Sequence, residues 1–266
     1  MKNKYCRGQT MEITDYYDVI FKRKSVKRYD LTPLDEEALE EISKQLNGLK
    51  PLYDDIRTEV KILPLDKVEA KKKKKQAPHY IAIFSEPKDD YLVNAGFMLQ
   101  KMDLFLSAND IGSSWLGSPT PKEEVLKNSD LEFVIVMAFG KPKEGSIHRG
   151  GVSEFKRKSL SEISTVKGLD DVLEAIRLAP SSGNSQPWFF TGDENLIHAY
   201  GAKPYAVKEH KAAKVKRYNT ISIGIALYHL VVALKHFGKN AEIISDENAK
   251  MKAPENYDYV VSLKVE

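Results

Sequence analysis

The sequence contains a single cysteine, Cys6, which excludes an intrachain disulfide framework and a cysteine-rich zinc site. The longest uninterrupted apolar run, Phe133 to Phe139, is far shorter than the ~20 residues that span a bilayer. The polar segment 1–10 has no apolar stretch of the kind found in secretory signals. We therefore expect no membrane association and a cytoplasmic location.

Several common motifs are also absent. The sequence has no G-x-x-x-x-G-K-[ST], G-x-G-x-x-G, H-E-x-x-H or G-x-S-x-G, so Walker-type, Rossmann, zincin and α/β-hydrolase functions lack support. The six histidines are scattered. His229 lies in an apolar helical stretch and His236 near its end, where a surface histidine or a satisfied interior histidine is commoner than a metal ligand. No metal site is predicted.

The chain has 266 residues, of which 42% are hydrophobic and 30% are charged, so it can form a full-sized folded core. Composition does not decide between one large domain and two small ones. The net charge is +3, but Lys71–Lys75 is a run of five lysines, so the rest of the chain is slightly acidic. Such a run is typical of a solvated loop, and no nucleic-acid partner is expected.

An internal repeat organises the sequence. The pentapeptide Phe21–Ser25 returns unchanged as Phe155–Ser159, and in the same register Leu34–Ile42 matches Gly168–Ile176. Two matches in one register favour a duplication over coincidence.

The repeat continues in the long helices. Residues 92–110 and 219–237 carry apolar side chains at helical spacing, and each stretch is followed by a glycine, Gly112 or Gly238, as expected after a helix C-terminus. The β-rich runs Glu132–Phe139 and Tyr257–Val265 then predict a closing strand in each copy. Two helices of similar pattern that share a chain by coincidence are the alternative.

These patterns predict an α+β fold in which helices pack on sheets. Residues 1–11 form a polar tail, and residues 12–266 form a single domain of two unequal copies, about 12–154 and 155–266, related by an approximate two-fold axis. Neither copy is expected to fold alone, so the protein has less need of a partner subunit, and we expect a monomer.

Three segments are candidates for function: two that differ between the copies and one at the start of the first copy. The first is Ala179–Trp188, with short hydrogen-bonding side chains around Gly183, which could also be an ordinary helix-to-strand turn. The second is Ser113–Pro119, a turn in which an aromatic residue precedes Leu-Gly, which could equally contain a core tryptophan. The third is Arg23–Lys27, where alternating positions face one side and could bind a phosphate, although a surface basic stretch is commoner.

Together these segments resemble the nitroreductase-like flavoproteins. The family's R-R-S-x-R corresponds to Arg23–Lys27, its A-P-S-x-x-N-x-Q-P-W to Ala179–Trp188, and its long helix with a Gly-containing turn to Asn94–Gly117. The resemblance implies a nitroreductase-like fold with antiparallel-rich sheets. In that family FMN lies between two subunits, so here the two copies are expected to mimic the dimer within one chain and to retain one FMN site.

The resemblance also implies roles for individual residues. It places Arg23, Ser25 and Lys27 at the phosphate and ribityl end of FMN, with Lys24 nearby. Lys27 replaces the usual arginine, and Arg28 could compensate for that replacement. Arg157 is either a further phosphate ligand or a relic of the repeat. The ribityl chain or ring edge would be bound by Ser181, Ser182, Asn184 and Gln186. Leu116 and Gly117 would lie against the flavin ring.

The function implied is that of an oxidoreductase in which NADH or NADPH reduces the flavin, which then reduces a nitroaromatic, a quinone or a similar small acceptor. The chemistry takes place on the flavin, so no catalytic side chain is predicted. One alternative is a non-catalytic flavin-binding or sequestering protein. Another is a flavin-free scaffold whose lysine run binds an acidic partner.

Overall fold

The computed structural model describes residues 15–70, 72, 76–204 and 208–266. Cys6 and the polar tail lie outside the described residues, as does the lysine run except for Lys72, which is exposed.

The first half of the chain forms a four-stranded antiparallel sheet. Its strand order is β1-β3-β6-β4, and β2 and β5 form a separate two-stranded ribbon. Every residue of β3 is buried. The helices are α1 (Tyr17–Ile20), α2 (Glu36–Asn47), α3 (Tyr91–Ala108) and α4 (Glu123–Lys127), and the strands are β1 (Thr58–Pro64), β2 (Val68–Glu69), β3 (His79–Ser85), β4 (Gly112–Leu116), β5 (Thr120–Pro121) and β6 (Glu132–Gly140).

The second half forms another four-stranded antiparallel sheet, ordered β7-β8-β10-β9. In both sheets two strands precede a long helix, and the last strand of the half lies between the second and third. This shared order is what a duplication would produce; the duplication itself stays a prediction. The elements are α5 (Leu160–Ile163), α6 (Asp170–Arg177), α7 (Glu209–His236), α8 (Glu247–Met251), β7 (Trp188–Gly192), β8 (Leu196–Ala202), β9 (Ala241–Ile244) and β10 (Tyr257–Val265).

The long helices α3 and α7 cross in direct backbone contact. A Cβ atom added to Gly96 would lie 2.1 Å from the carbonyl oxygen of Ile221, and one added to Gly224 would lie 2.0 Å from that of Val93. The contact is reciprocal, as in an isologous interface. Only glycine permits this approach, so these two positions determine how closely the halves pack.

The two long helices differ from prediction at their ends. Helix α7 begins at Glu209, ten residues earlier than the apolar pattern indicates, because its first turns are exposed and polar. After α3 the left-handed residue is Asp110 (φ 56°), whereas after α7 it is Gly238 (φ 73°). The expectation that Gly112 follows the helix end in this role was wrong, since Gly112 opens β4.

Helix α7 is the one helix of the described chain that is long and apolar enough to cross a membrane by length and composition alone. Its most apolar window is 83% buried inside the molecule. The larger of two hydrophobic clusters in the described residues includes side chains of both halves, from Tyr16 to Val265, and α7 runs through it; the smaller cluster belongs to the first half. Helix α7 is therefore a core helix of the folded protein.

A chain of buried polar side chains connects the two halves beside this crossing. The amide nitrogen of Gln100 on α3 lies 3.0 Å from a carboxylate oxygen of Asp103 and 3.0 Å from Nε2 of His229 on α7. Nδ1 of His229 lies 2.9 Å from the carbonyl oxygen of Ala175, an acceptor, so Nδ1 carries the proton and Nε2 accepts from Gln100. Burial lowers the pKa of His229 to about 4, which keeps it neutral. Of the two roles that the sequence left open, His229 therefore has that of a satisfied interior histidine.

The same chain extends to β4 and to the segment before α2. The carboxylate of Asp103 accepts a 2.6 Å hydrogen bond from Ser113 and pairs with Nε of Arg23 at 3.0 Å. The indole nitrogen of Trp115 donates to the side-chain oxygen of Gln100 at 3.3 Å. One buried carboxylate thus fixes the start of β4 and the side chain of Arg23.

Substituting Gly96 tests the helix contact. We expect Gly96→Ala to lower the free energy of unfolding by about 1–3 kcal/mol, because the added methyl group forces α3 away from α7. Urea denaturation of the protein without added ligand measures the change. Gly151→Ala is the matched control: its Cβ would meet nothing within 4 Å, so we expect a change within about 0.5 kcal/mol. Equal effects of the two substitutions would contradict the close approach.

Candidate functional site

The Arg23–Lys27 segment is extended and lies along the start of β4. Ser25 bridges to Ser113, and the backbone N–H of Val26 donates to the carbonyl oxygen of Ser113 at 2.9 Å. The guanidinium of Arg23 donates to the hydroxyl of Ser25 at 2.9 Å, so these two side chains share a side, as the alternation indicates. Arg23, however, is only 1% exposed and is paired with Asp103, so it presents almost no surface to a ligand.

The other predicted cations of this segment lie at a cavity. Lys24 and Lys27 line a space of about 330 Å³ together with residues 25, 26 and 28 and the loop residues 142 and 144–146. All of these residues belong to the first half of the chain.

Arg157, the repeat of Arg23, is half-buried and has a different environment. Its guanidinium donates to the carbonyl oxygens of Phe155 at 2.8 Å and Leu178 at 3.2 Å, and to the side-chain oxygen of Asn184. No carboxylate of the described residues forms a salt bridge with it. Burial, and to a lesser extent the charges of Arg23, Arg149 and Arg177, lowers the pKa of Arg157 to about 10. Arg157 is therefore a cation that lacks a counter-charge.

Arg149 lies beside Arg157 and forms a cation cluster with it, and it was not predicted from the sequence. Its guanidinium lies 4.4 Å from the ring centre of Phe155, and that of Arg157 lies 5.6 Å from the same ring. Burial, followed by the charge of Arg23, lowers the pKa of Arg149. The Nε atoms of both arginines are buried without a hydrogen-bond partner in the described residues. Arg149 lies outside every repeat and motif of the sequence, so only the fold reveals it.

The loop 181–186 is anchored to the segment before α5. Asn184 donates to the carbonyl oxygen of Lys156 at 2.9 Å, and the side-chain oxygen of Gln186 accepts from the N–H of Lys158 at 2.7 Å. The Ser181 hydroxyl accepts from the N–H of Gln186 at 2.9 Å. Asn184 and Gln186 both have positive φ, which explains how so short a loop turns both amides back onto the protein.

A turn of α7 joins this loop to the end of β4. The hydroxyl of Ser222 accepts from the N–H of Ser182 at 3.2 Å and donates to the carbonyl oxygen of Tyr218 at 2.7 Å. The hydroxyl of Tyr218 donates to the carbonyl oxygen of Gly117 at 2.5 Å. A Cβ atom at Gly117 would lie 2.6 Å from that hydroxyl, so a larger residue there would displace the end of the Tyr218 side chain.

Trp115 and Leu116 lie in a strand, which corrects the sequence prediction of a turn. Both belong to β4, where Leu116 pairs with Val136 of β6. The half-buried Trp115 is held by Gln100, and the exposed Gly117 follows directly after the strand. Because Gly117 directly follows this strand, it lies at the surface in a fixed position.

The fold brings together predicted residues from both halves at two points. At the first point Asn184 accepts a hydrogen bond from the guanidinium of Arg157, and Arg23 is close enough to lower the pKa of Arg157. At the second point Gly117 is hydrogen-bonded to Tyr218, and Ser182 is hydrogen-bonded to Ser222. Lys24, Ser25 and Lys27 line the cavity of about 330 Å³. Among the described residues, no group of three or more His, Cys, Asp or Glu side chains could hold a metal ion.

Comparisons with protein families and with solved structures both find nitroreductases. A family model described as "Putative TM nitroreductase" matches residues 15–234. A solved structure from Thermotoga maritima, described as a "putative nitroreductase", is 19% identical with a TM-score of 0.62, and the match covers 97% of this chain and 96% of that one. An FMN-dependent nitroreductase from Clostridium difficile is 16% identical with a TM-score of 0.41, covering 54% of this chain and 95% of that one. None of the curated proteins compared matches.

The Thermotoga structure shares the fold over nearly the whole length of both chains, which confirms the predicted nitroreductase-like α+β fold. The family model covers most of the sequence, including the segments that form both halves of the candidate site. The chain belongs to the nitroreductase family.

Proposed function

We propose that this protein is an FMN-dependent oxidoreductase that uses NADH or NADPH to reduce a small acceptor such as a nitroaromatic or a quinone. The observation that carries the proposal is the cation cluster of Arg157 and Arg149 beside a loop with the family's pattern. The proposal also draws on family membership and on the relative described as an FMN-dependent nitroreductase.

The cluster fits the phosphate end of FMN. A half-buried guanidinium without a counter-charge is costly, and a phosphate that accepts charge-assisted hydrogen bonds offsets that cost. The buried Nε atoms of Arg149 and Arg157 have no hydrogen-bond partner in the described residues. The resemblance assigns the phosphate to Arg23, Ser25 and Lys27. Because Arg23 is paired with Asp103, our proposal gives the principal role to Arg157 and Arg149.

The end of β4 fits the flat ring. Gly117 has no side chain, is exposed, and is fixed by Tyr218, so backbone there can approach a planar ligand closely. Ser182 is held by Ser222 one turn farther along α7, which places the 181–186 loop near the same helix face. In the proposed site this loop binds the ribityl chain or ring edge.

When bound, FMN supplies the hydride and electron transfer, and the protein supplies position and charge. Arg149 and Arg157 neutralise the phosphate. The network of Gln100, Asp103 and Ser113 keeps β4 and Gly117 in place. No side chain is required to move a proton to or from a substrate carbon.

We propose one flavin site per chain. The counterpart of the 181–186 loop in the first half, residues 48–53, is held against α3, where the side-chain oxygen of Asn94 accepts from the N–H groups of Leu52 at 2.7 Å and Tyr53 at 3.2 Å. This counterpart lacks the serines and amides of the loop. Because the site forms within one chain, we also propose that the protein works as a monomer, and that it works in the cytoplasm.

Substituting Arg157 tests the phosphate assignment. Arg157→Gln removes the charge and should weaken FMN binding by about 1.5–3 kcal/mol, that is, tenfold or more. Lys156→Gln is the matched control, because it removes an exposed charge from the adjacent residue and should change the dissociation constant less than about twofold. Fluorescence titration of FMN gives both constants, and thermal unfolding without FMN checks that each variant folds. Equal affinities in the two folded variants would refute the assignment.

Anaerobic mixing tests the activity. The FMN-loaded protein should lose its yellow absorbance with NADH or NADPH and regain it when a quinone is added. Protein that binds FMN but stays yellow with both donors would be the non-catalytic flavin-binding protein. Failure to bind FMN would exclude both flavin functions.

A further inference from the structure

Helix α7 extends beyond the start of the helix that it crosses. The guanidinium of Arg217 on α7 donates to the hydroxyl of Tyr91, the first residue of α3, at 2.9 Å. Helix α7 begins at Glu209, so its first two turns lie before this contact and have no counterpart in the first half. Most of their side chains are exposed. The extension is therefore a feature of the second half alone, and its side chains are available to a ligand.

One side of this helix leads from the extension to the candidate site. Residues three or four apart lie on the same side of an α-helix, so Lys214, Tyr218 and Ser222 share one side of α7. The hydroxyl of Tyr218 contacts Gly117, and that of Ser222 contacts the N–H of Ser182. The side of α7 that carries Lys214 is therefore the side that faces the candidate site.

Lys214 lies against the ring of Tyr218. Its ammonium nitrogen is 5.9 Å from the centre of that ring, within the range of a cation–π interaction. The hydroxyl of the same tyrosine donates to the carbonyl oxygen of Gly117 at 2.5 Å, so one side chain connects Lys214 with the exposed end of β4. Lys211, three residues before Lys214, is exposed and lies on the same side. Two lysines thus follow one another beside the place where the proposed function puts the flavin ring.

The positive charge of these lysines is not balanced by the residues around them. Within the part of the chain that the structure describes, no carboxylate forms a salt bridge with Lys211 or Lys214. Glu209 is the only acidic residue between positions 209 and 218, and helical spacing places it on the opposite side from Lys211. The proposed phosphate ligand Arg157 has its hydrogen bonds outside this helix. The two lysines are therefore a separate source of positive charge at the ring end of the site.

We propose that Lys214, supported by Lys211, selects aromatic acceptors that carry a negative charge, such as a nitrobenzoate. The inference rests on the proposed function, because that function places the FMN ring at Gly117. An aromatic acceptor must lie against the flavin ring to be reduced, and a carboxylate on the acceptor then comes within the field of the lysines. Lys214 in this role is a specificity-determining residue, which strengthens the binding of charged acceptors and has no effect on neutral ones.

Calorimetric titration of the oxidised, FMN-loaded protein with 4-nitrobenzoate and its neutral analogue 4-nitrobenzamide tests the proposal without turnover. At low salt we expect 4-nitrobenzoate to bind at least about threefold more tightly, and high salt should reduce the difference. Lys214→Gln should weaken 4-nitrobenzoate binding about three- to fivefold and leave 4-nitrobenzamide binding unchanged, whereas Lys214→Glu should reverse the preference. Lys216→Gln is the matched control, because it removes a similarly exposed charge from the opposite side of the helix.

Equal 4-nitrobenzoate affinities in Lys214→Gln and Lys216→Gln would overturn the proposal, and so would equal affinities for the two compounds in the unsubstituted protein. NAD⁺, which cannot reduce the flavin, is titrated in the same way. Weaker NAD⁺ binding in Lys214→Gln with unchanged 4-nitrobenzoate binding would assign the lysine to the dinucleotide and overturn the proposal. FMN-loaded protein that neither NADH nor NADPH reduces would refute the proposed activity, yet the titrations would still decide the selectivity. Protein that takes up no FMN would refute both.

Discussion

The close crossing of α3 and α7 at Gly96 and Gly224 is the constraint on which the structure depends. Both helices run through the one core that includes residues of both halves, and the bond between Gln100 and His229 lies about one turn farther along the same contact. Side chains larger than hydrogen at the crossing would separate the helices. Because α3 carries the network that fixes β4, and α7 carries Tyr218 and Ser222, the distance between the helices sets the dimensions of the candidate site.

The buried pair of Arg23 and Asp103 explains why equivalent arginines of the repeat differ in role. Arg23 has a carboxylate partner and a place in the interior, whereas Arg157 has neutral oxygens as partners and neighbours of like charge. A buried charge is tolerated when it is paired, and an unpaired one favours a ligand of opposite charge. The same pentapeptide therefore yields a structural cation in one half and a candidate phosphate ligand in the other.

Patterns that depend on local periodicity predicted the fold well. The strand Tyr257–Val265 has the predicted bounds, and His229 has one of the two roles that the sequence left open, that of an interior histidine. The polar start of α7, the strand at Trp115 and the left-handed Asp110 were not predicted, because exposed turns and strand pairing depend on partners distant in sequence. Arg149 was missed for the same reason: its significance lies in Phe155 and Arg157, which only folding places beside it.

We propose that two unequal halves build one flavin site within a single chain. Counting the FMN bound at saturation, with the protein concentration determined independently and the oligomeric state measured in the same sample, tests it most directly. We expect one FMN per chain, bound to a monomer. Two FMN per chain, or one FMN shared by two chains, would contradict it.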